Sequence, residues 1–414
     1  MSNKIGVCII GSNGAVATTV MAGVALMKKG LVPRRGMATE GNLGKVLDLA
    51  SIDEMVFGGW DLREDNAYQA ALSHGVVQKH LLDEVRSELE SFKPWPAAAS
   101  AKFLFSMAGK NIVACETYRD EIKAIQKNIT DFKKANNLDR VVMVNLTSTE
   151  KFTEVSDVHR TIEAFEKGLD HNDARISPAM KYMYAACQLG VPHVNFTPSL
   201  TKIPALEKLA EKTGTPICGE DGKTGQTLLK TVLAPAFAIR QLHVDGWYSA
   251  NILGNNDGLV LNDPESNKTK ITSKQKPLDS IMGYKVDNHQ VHIHYYRPRG
   301  DAKEAWDNID VSGFLGENMQ IKVNFLCKDS ILAAPLVIDL VRLIDLAKRK
   351  GEAGIQRQLS LFFKAPYHTE GEEPIHDLFK QNDLLLAWAE GVKSNATVSD
   401  RRGYEPGREH VTSI

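Results

Sequence analysis

The first thirty residues constrain the fold more than any other stretch, because a short strand there runs through a glycine-containing turn into an apolar helix. Residues 4–10 read KIGVCII, residues 11–14 read GSNG, and residues 15–30 read AVATTVMAGVALMKKG. A helix that is apolar or small nearly throughout is typical of one packed on the face of a parallel sheet. The sequence therefore predicts that the chain begins with a βα unit.

Later segments repeat this alternation of strand and helix. Short apolar β runs follow at residues 54–61, 111–115, 140–146 and 193–196. Between two of these runs a polar segment places four apolar side chains on one helical face, namely Ile122, Ile125, Ile129 and Phe132. Strands that alternate with amphipathic helices over about two hundred residues predict βαβ units and a doubly wound, Rossmann-like α/β sheet.

The periodicity changes after this region. Residues 243–250, 289–298 and 320–327 alternate polar and apolar side chains with period two. Such alternation is typical of antiparallel strands that are buried on one face. The sequence therefore predicts a second, sheet-containing region before the chain becomes helical again at about residue 330.

Composition excludes several classes of function. The chain has 414 residues, and its 50 Lys and Arg balance 51 Asp and Glu, so no global field attracts nucleic acid or anionic lipid. The N-terminus shows no basic and apolar leader, and charged residues interrupt the most apolar later segment, 331–349. Five scattered cysteines without a CxxC pair indicate reduced thiols. We expect a cytoplasmic protein with neither a nucleic-acid nor a membrane partner.

The glycine turn is a candidate cofactor site. Gly11 and Gly14 lie where the strand enters the helix, so backbone N–H groups and the helix N-terminus can face a pyrophosphate. The turn departs from GxGxxG, because the third glycine is replaced by Ala17, and a plain connecting turn stays open as the alternative. The ribose-binding acid expected about twenty residues later is missing, with Glu40 the next candidate. This leaves open whether the cofactor is NAD or NADP.

Lysines in loops form the second candidate site. Four lie within GNNDGLVLNDPESNKTKITSKQK, residues 254–276, and another follows a predicted strand in the turn RPRGDAKEAWD. Two more occur in CKDS and FFKAP, and a glycine-rich loop, GEDGKTGQT, leads into a helix. Taken alone, the lysines fit a solvated surface and the glycine-rich loop fits a capped helix start. Loops at strand ends are nevertheless where functional sites are built.

Taken together, and in the order in which they occur along the chain, these segments resemble the signature blocks of the myo-inositol-1-phosphate synthase family, also called inositol-3-phosphate synthases under the other ring numbering. The resemblance extends from about residue 6 to residue 366. It implies an isomerase that converts glucose 6-phosphate to inositol monophosphate, for inositol and phospholipid biosynthesis. It also implies a tightly held NAD and a reaction of oxidation at carbon 5, enolisation at carbon 6, aldol closure onto carbon 1 and reduction.

The resemblance also implies roles for individual residues. The catalytic set is Lys270, Lys274, Lys303, Lys364, Asp221 and Asp329, in which the two acids orient the lysines. Lys270 and Lys303 are expected to transfer protons, and Lys274 to hold the substrate phosphate. The cofactor set is Gly11, Ser12, Asn13, Gly14, Asp61, Thr147, Ser148, Thr149 and Asp257, and the substrate set is Asn255, Asn256 and Lys274. Lys268 and Lys276 match nothing in the family and are read as surface residues.

At the level of domains, the resemblance implies a split arrangement. Residues 1–228, completed by residues 332–414, would form the dinucleotide-binding domain. Residues 229–331 would form an inserted α+β domain for catalysis and oligomerisation, with a mainly antiparallel sheet, in a homotetramer.

Two alternatives to this interpretation stay open. One alternative is an NAD(P)-dependent dehydrogenase of homoserine-dehydrogenase-like plan with net hydride transfer, and the other is a non-catalytic dinucleotide sensor or scaffold. A metal at His292 and His294 would need further ligands that the sequence does not offer, so no metal site is predicted.

Overall fold

The structure, a computed structural model, describes residues 4–104, 109–254 and 277–401. Its strands are β1 (Ile5–Ile10), β2 (Met55–Asp61), β3 (Trp95–Pro96), β4 (Arg140–Asn145), β5 (His193–Asn195), β6 (Pro216–Gly219), β7 (His243–Leu253), β8 (Asn288–Tyr295), β9 (Ala302–Ser312), β10 (Asn318–Lys328) and β11 (Gly354–Ile355). Its α-helices are α1 (Ala15–Lys28), α2 (Asn42–Val46), α3 (Ala67–His74), α4 (Lys79–Glu84), α5 (Arg86–Ser91), α6 (Tyr118–Ala135), α7 (Ile162–Asp170), α8 (Pro178–Gln188), α9 (Pro204–Lys212), α10 (Gly225–Ile239), α11 (Asp329–Arg349) and α12 (Leu378–Arg401). Residues 277–282 are also helical.

The larger sheet has seven strands in the order β11-β6-β5-β4-β1-β2-β3. All of its neighbouring pairs are parallel. The chain therefore moves outward from β1 in one direction to β3 and then in the other direction from β4, which confirms the predicted doubly wound fold. In such sheets a ligand crevice opens at the carboxyl ends of the strands where the winding direction switches, here between β1 and β4.

The smaller sheet has four strands in the order β10-β9-β7-β8. β9 is antiparallel to both β7 and β10, while β7 and β8 are parallel. The helix α10 packs against this sheet through a buried apolar cluster that includes Ala234, Phe237 and Trp247. The smaller sheet follows α10 in the chain and is followed by α11, which packs back against the larger sheet.

Several element predictions were wrong. Residues 111–115 form only an isolated bridge at Ile112 rather than a strand. The segment RPRGDAKEAWD, predicted as a turn, becomes the strand β9 from Ala302 onward. The reason is that β9 turns Lys303 and Asp307 inward together with apolar residues, so its buried face does not read as apolar. The short strands β3, β6 and β11 were missed, since two to four residues carry no readable period.

The helix α11 shows how an apolar segment tolerates internal charges. Its Asp339 is fully buried and accepts hydrogen bonds from the backbone N–H of Ala38 at 2.7 Å and of Thr39 at 3.0 Å. Arg342 donates to Ala50 O at 2.9 Å. These buried charges thus bind the loop after α1, as expected for a packed helix. Within the described ranges, no helix combines the length and apolarity that crossing a bilayer requires.

Candidate active site

One cavity of about 710 Å³ opens where the strands of the larger sheet end. The turns that follow β1, β2, β4, β5 and β6 line one side of it. Residues at the start of β9 and α11 line the other side, so the cavity lies between the two sheets. Among the predicted site residues, its lining contains Gly11, Gly14, Asp61, Thr147, Ser148, Thr149, Asp221, Asp329 and Lys364. This is the place at which doubly wound folds bind their ligands.

The glycine turn is held tightly against the sheet. Gly11 has a positive φ of 80°, and a Cβ there would lie 3.0 Å from Leu146 O and from Thr147 N. Gly14 precedes α1, whose N-terminal N–H groups have no side-chain cap and no acidic residue in the first turn. Ala15 and Val16, at that end of the helix, line the cavity. The helix dipole and the free N–H groups therefore favour an anion in this part of the cavity.

Ser12 and Asn13 are fully buried and do not line the cavity. Asn13 instead ties the turn to the loop after β2, because its Nδ2 donates to Arg63 O at 3.2 Å and to Asp65 O at 2.8 Å. Asn13 Oδ1 and Ser12 Oγ are buried without a hydrogen-bond partner. The structure thus gives Asn13 a role in shaping the turn, and its predicted contact with the cofactor stays a prediction.

Asp61 ends β2 and occupies the position of the ribose-binding acid of dinucleotide folds. Its Oδ2 accepts a hydrogen bond from Asn13 N at 2.8 Å, and its Oδ1 accepts one from Arg63 N at 3.0 Å. No acid lies at the usual spacing of about twenty residues after the glycine turn, and the binding of ribose by Asp61 stays a prediction. The segment between α1 and β2, which includes α2, is long enough to move the acid to residue 61.

Asn145, the last residue of β4, fixes the turn that follows this strand. Its Oδ1 accepts hydrogen bonds from Thr147 N at 3.2 Å and from Thr147 Oγ1 at 2.8 Å. The next acid, Glu150, also lines the cavity and was missed by the sequence analysis. Its Oε1 accepts a hydrogen bond from Ala179 N at 2.9 Å, and burial raises the pKa of its carboxyl to about 7. The feature of the sequence that could have identified Glu150 is its position directly after a hydroxyl-rich turn at the end of a strand.

Two lysine–carboxylate pairs border the cavity. Lys364 Nζ lies 2.8 Å from Asp221 Oδ1, and both side chains are buried. Lys303 Nζ lies 3.4 Å from Asp329 Oδ1 and 3.5 Å from Asp329 Oδ2. The structure thus places each of these two predicted lysines against one of the two predicted acids, although Lys303 comes from a strand and not from a turn. Opposite charges at such distances hold the ammonium groups in place.

Asp301 and Ser330 support the second pair and were not predicted. Ser330 Oγ donates to Asp301 Oδ1 at 2.9 Å, and Ser330 N donates to Asp301 Oδ2 at 3.3 Å. These bonds join the start of β9 to the first turn of α11, which carries Asp329. Both residues line the cavity.

The helix α10 presents a second N-terminus to the cavity. Its N-cap is Thr224, which makes no side-chain capping bond, and its first turn has no acidic residue. The interpretation of this loop as an ordinary capped helix start was therefore wrong. The Thr224 hydroxyl instead donates to Asp329 Oδ1 at 2.8 Å, and both Thr224 and Gly222 line the cavity. An uncapped N-terminus beside two lysines is suited to a phosphate.

Some predicted residues cannot be placed. Lys270, Lys274, Asn255, Asn256 and Asp257 lie outside the described residues, as do Lys268 and Lys276. In the part of the chain that the structure describes, no group of three or more His, Cys, Asp or Glu side chains is arranged to hold a metal. The rings of His292 and His294 stack with centroids 6.1 Å apart. All five cysteines are free.

Comparisons with known proteins point to one family. A family model described as "Myo-inositol-1-phosphate synthase" matches residues 5–389. The inositol-3-phosphate synthase 1 of Bacteroides thetaiotaomicron is 44% identical over 400 residues, which cover 92% of this chain and 93% of that protein. The inositol-3-phosphate synthase of Saccharomyces cerevisiae is 29% identical over 447 residues, covering 92% and 84%.

Solved structures share the fold. The crystal structure of an inositol-3-phosphate synthase from Caenorhabditis elegans superposes with a TM-score of 0.88 at 23% identity, covering 95% of this chain and 86% of that one. A myo-inositol-1-phosphate synthase-related protein from Thermotoga maritima gives a TM-score of 0.75 at 23% identity, covering 94% and 98%. At these identities the two structures speak for the fold alone.

Proposed function

The chain belongs to the myo-inositol-1-phosphate synthase family, and on that premise we propose that its cavity converts D-glucose 6-phosphate to 1D-myo-inositol 3-phosphate. The protein is an NAD-requiring isomerase of inositol biosynthesis. One observation carries the assignment of this chemistry to the cavity. A turn suited to a dinucleotide and two carboxylates that each hold a buried lysine line the same space.

The residues around the glycine turn fit NAD. Gly14 leaves the space in front of α1 open, since a Cβ there would add bulk beside Gly11 O at 3.1 Å. The pyrophosphate would lie against the uncapped start of α1, and Asp61 would accept hydrogen bonds from ribose hydroxyls. The turn at Thr147–Thr149 would border the nicotinamide half. When bound, NAD supplies the acceptor for the hydride that leaves carbon 5 and the donor that later returns it.

The lysine–carboxylate pairs match the proton transfers that the conversion requires. A proton leaves the carbon 5 hydroxyl during oxidation and is restored on reduction, a proton leaves carbon 6, and a proton reaches the carbon 1 oxygen when the ring closes. Negative charge builds on oxygen in these steps, and an ammonium group held in the cavity stabilises it. In this proposal Lys303 transfers protons, together with Lys270, and Lys364 stabilises the developing oxyanions. Asp329 and Asp221 orient the two described lysines.

The substrate phosphate is assigned to the start of α10. This N-terminus faces the cavity at Gly222 and Thr224, and Thr224 contacts the carboxylate that holds Lys303. A phosphate bound there would place the sugar chain beside Lys303 and Lys364. Lys274 is expected to contribute a further charge to it.

We also propose a homotetramer in which residues 229–331 make the subunit contacts, with residues 1–228 and 332–414 as the dinucleotide domain. The support is apolar surface on the smaller sheet and its hairpin. Phe314 and Leu315 are 88% and 82% exposed at the turn between β9 and β10, and Leu326 on β10 is 58% exposed. The cytoplasmic location is likewise a proposal, supported by the five free cysteines.

The proposed function is tested by incubating the purified chain with glucose 6-phosphate and a substoichiometric amount of NAD. Inositol phosphate is followed by chromatography and NADH by absorbance. We expect many equivalents of inositol phosphate per NAD and no net NADH. Stoichiometric NADH without a cyclic product would identify a dehydrogenase instead. A chain that binds NAD but forms neither product would favour a sensor or scaffold.

A further inference from the structure

The loop after β2 carries both residue types that dinucleotide folds use to recognise the adenosine ribose. An acid at the end of this strand binds the 2′-hydroxyl of NAD, whereas a nearby arginine accommodates the 2′-phosphate of NADP. This chain has Asp61 at the strand end and Arg63 two residues later, and both line the cavity. A family that uses NAD needs only the first, so the presence of Arg63 requires a separate explanation.

Asp61 is rigidly placed. Each of its carboxylate oxygens accepts one backbone N–H, from Asn13 at 2.8 Å and from Arg63 at 3.0 Å. A carboxylate oxygen has more than one acceptor site, so both can still accept ribose hydroxyls. The same fixed carboxylate repels a 2′-phosphate, because two anions would meet at the end of β2.

Arg63 is held over the glycine turn. Its Nη2 donates to Asn13 O, and its Nε lies 3.9 Å from Asp61 Oδ1. His74 Nε2 lies 2.8 Å from the same Asn13 carbonyl and 3.4 Å from Arg63 Nη2. A guanidinium has five N–H donors in a planar fork that matches phosphate oxygens, and these contacts leave several of them for a ligand.

We propose that Arg63 is a latent binding group for the 2′-phosphate of a phosphorylated dinucleotide and that the neighbouring Asp61 carboxylate keeps this site selective for NAD. The inference rests on the proposed NAD-dependent function and adds a residue that determines cofactor specificity. Without the carboxylate, the 2′-phosphate meets no fixed anion at the end of β2 and gains a guanidinium. Selectivity for NAD then depends on one side chain.

The test is calorimetric titration of the full chain with NAD and, separately, with NADP. Because like charges in an interface cost several kcal/mol, we expect the unsubstituted protein to bind NAD at least about a hundredfold more tightly than NADP. Asp61→Ser should bind NADP at least about tenfold more tightly than the unsubstituted chain does. The double variant Asp61→Ser/Arg63→Ala should lose that gain, since it lacks the guanidinium.

Controls separate the outcomes. Asp61→Ser removes the acceptor for Asn13 N, so Asp61→Asn is titrated in parallel as a control, because it keeps one acceptor oxygen and lacks the charge. Thermal unfolding reports whether each variant folds. If both Asp61 variants bind NAD but neither binds NADP more tightly than the unsubstituted chain does, the inference is overturned and the proposed function is not. An NADP gain that persists without Arg63 would overturn the role of the arginine. Failure of the unsubstituted chain to bind either dinucleotide would overturn both the inference and the proposed function.

Discussion

Lys303 is a buried lysine to which we assign proton transfer. It is buried on β9, and its Nζ lies 3.4 Å from a carboxylate that faces the cavity. We predict that Lys303→Ala lowers turnover at least about a hundredfold, the usual contribution of a positioned proton-transfer group. NAD affinity should stay unchanged, because the glycine turn belongs to the other sheet.

The matched control is Lys322→Ala, which removes a solvent-exposed lysine from the neighbouring strand β10. Steady-state assays of inositol phosphate formation and calorimetric titration with NAD measure the two effects. Full activity in Lys303→Ala would remove this residue from the catalytic set. Loss of NAD binding in the same variant would show that it acts on the fold of the site.

Gly14 is expected to show the opposite pattern. Its φ of −71° is open to any residue, so a side chain there is excluded by space rather than by backbone strain. Gly14→Val would fill the approach to the uncapped start of α1, and we predict that NAD binding is lost while the chain still folds. Calorimetric titration with NAD and a thermal unfolding curve check the two parts. Undiminished NAD affinity would mean that the pyrophosphate binds elsewhere.

Sequence reasoning found some of the residues around the cavity and missed others. Gly11 and Gly14 could be found because their role depends on a local strand–turn–helix pattern. The contact between Lys364 and Asp221 could not, since the two residues are 143 positions apart and meet only through the packing of the sheet. Asp301 and Glu150 were missed for the same reason, because their partners Ser330 and Ala179 come from other elements.

At the scale of elements, α10 links the two sheets and carries an unusual buried lysine. Lys230 is 1% exposed, and its Nζ lies 2.6 Å from His289 Nε2 on β8 and 5.7 Å from the ring centroid of Trp247 on β7. Burial lowers the pKa of Lys230 from its usual 10.5 to about 7, while Asp307 on β9 opposes part of this shift. An ammonium group at this site therefore weakens the folded state below about pH 7.

The direction in which stability changes with pH follows from the number of protons that Lys230 binds in the folded and in the unfolded chain. Between about pH 7 and pH 10.5 the unfolded chain keeps the Lys230 proton that the folded protein has lost, so stability rises with pH across this window. We predict that Lys230→Met raises the free energy of unfolding most at neutral pH and progressively less as the pH rises to about 10. Urea titrations of both proteins at several pH values measure the difference.

His289 does not contribute to this pH dependence. Burial and the Lys230 charge lower the pKa of His289 to about 3, so its ring stays neutral between pH 7 and pH 10.5. Lys380→Met, an exposed lysine of α12, serves as the control and should show no such pH-dependent difference. A stability difference between Lys230→Met and the unsubstituted protein that is constant with pH would contradict the assigned protonation change.

Element prediction succeeded where burial produced a simple period. β1 and β4 are buried nearly throughout, α6 has one apolar face, and all three were read correctly. β9 was not, because it points Lys303 and Asp307 towards the interior. Of these two polar residues, Asp307 accepts hydrogen bonds from Trp247 and Ser249 on β7, and Lys303 contacts Asp329, which lines the cavity.

For the whole molecule, the arrangement of the two sheets explains why one chain can combine redox chemistry with ring closure. The larger sheet carries the proposed dinucleotide site at its carboxyl edge, where the order of its strands opens a ligand crevice. The opposite wall of the same cavity includes Asp329 at the start of α11, and Lys303 of the smaller sheet contacts this carboxylate. Oxidation, cyclisation and reduction can therefore follow one another without release of an intermediate.

The central claim is that hydride leaves and returns to the same carbon within this cavity. The most direct measurement is turnover of glucose 6-phosphate carrying deuterium at carbon 5, with NAD as cofactor and an excess of unlabelled NADH. Mass spectrometry then reads the deuterium content of the inositol phosphate. We expect the product to keep essentially all of the deuterium. Loss of deuterium to the unlabelled pool would contradict it, because oxidation and reduction would then be separate events.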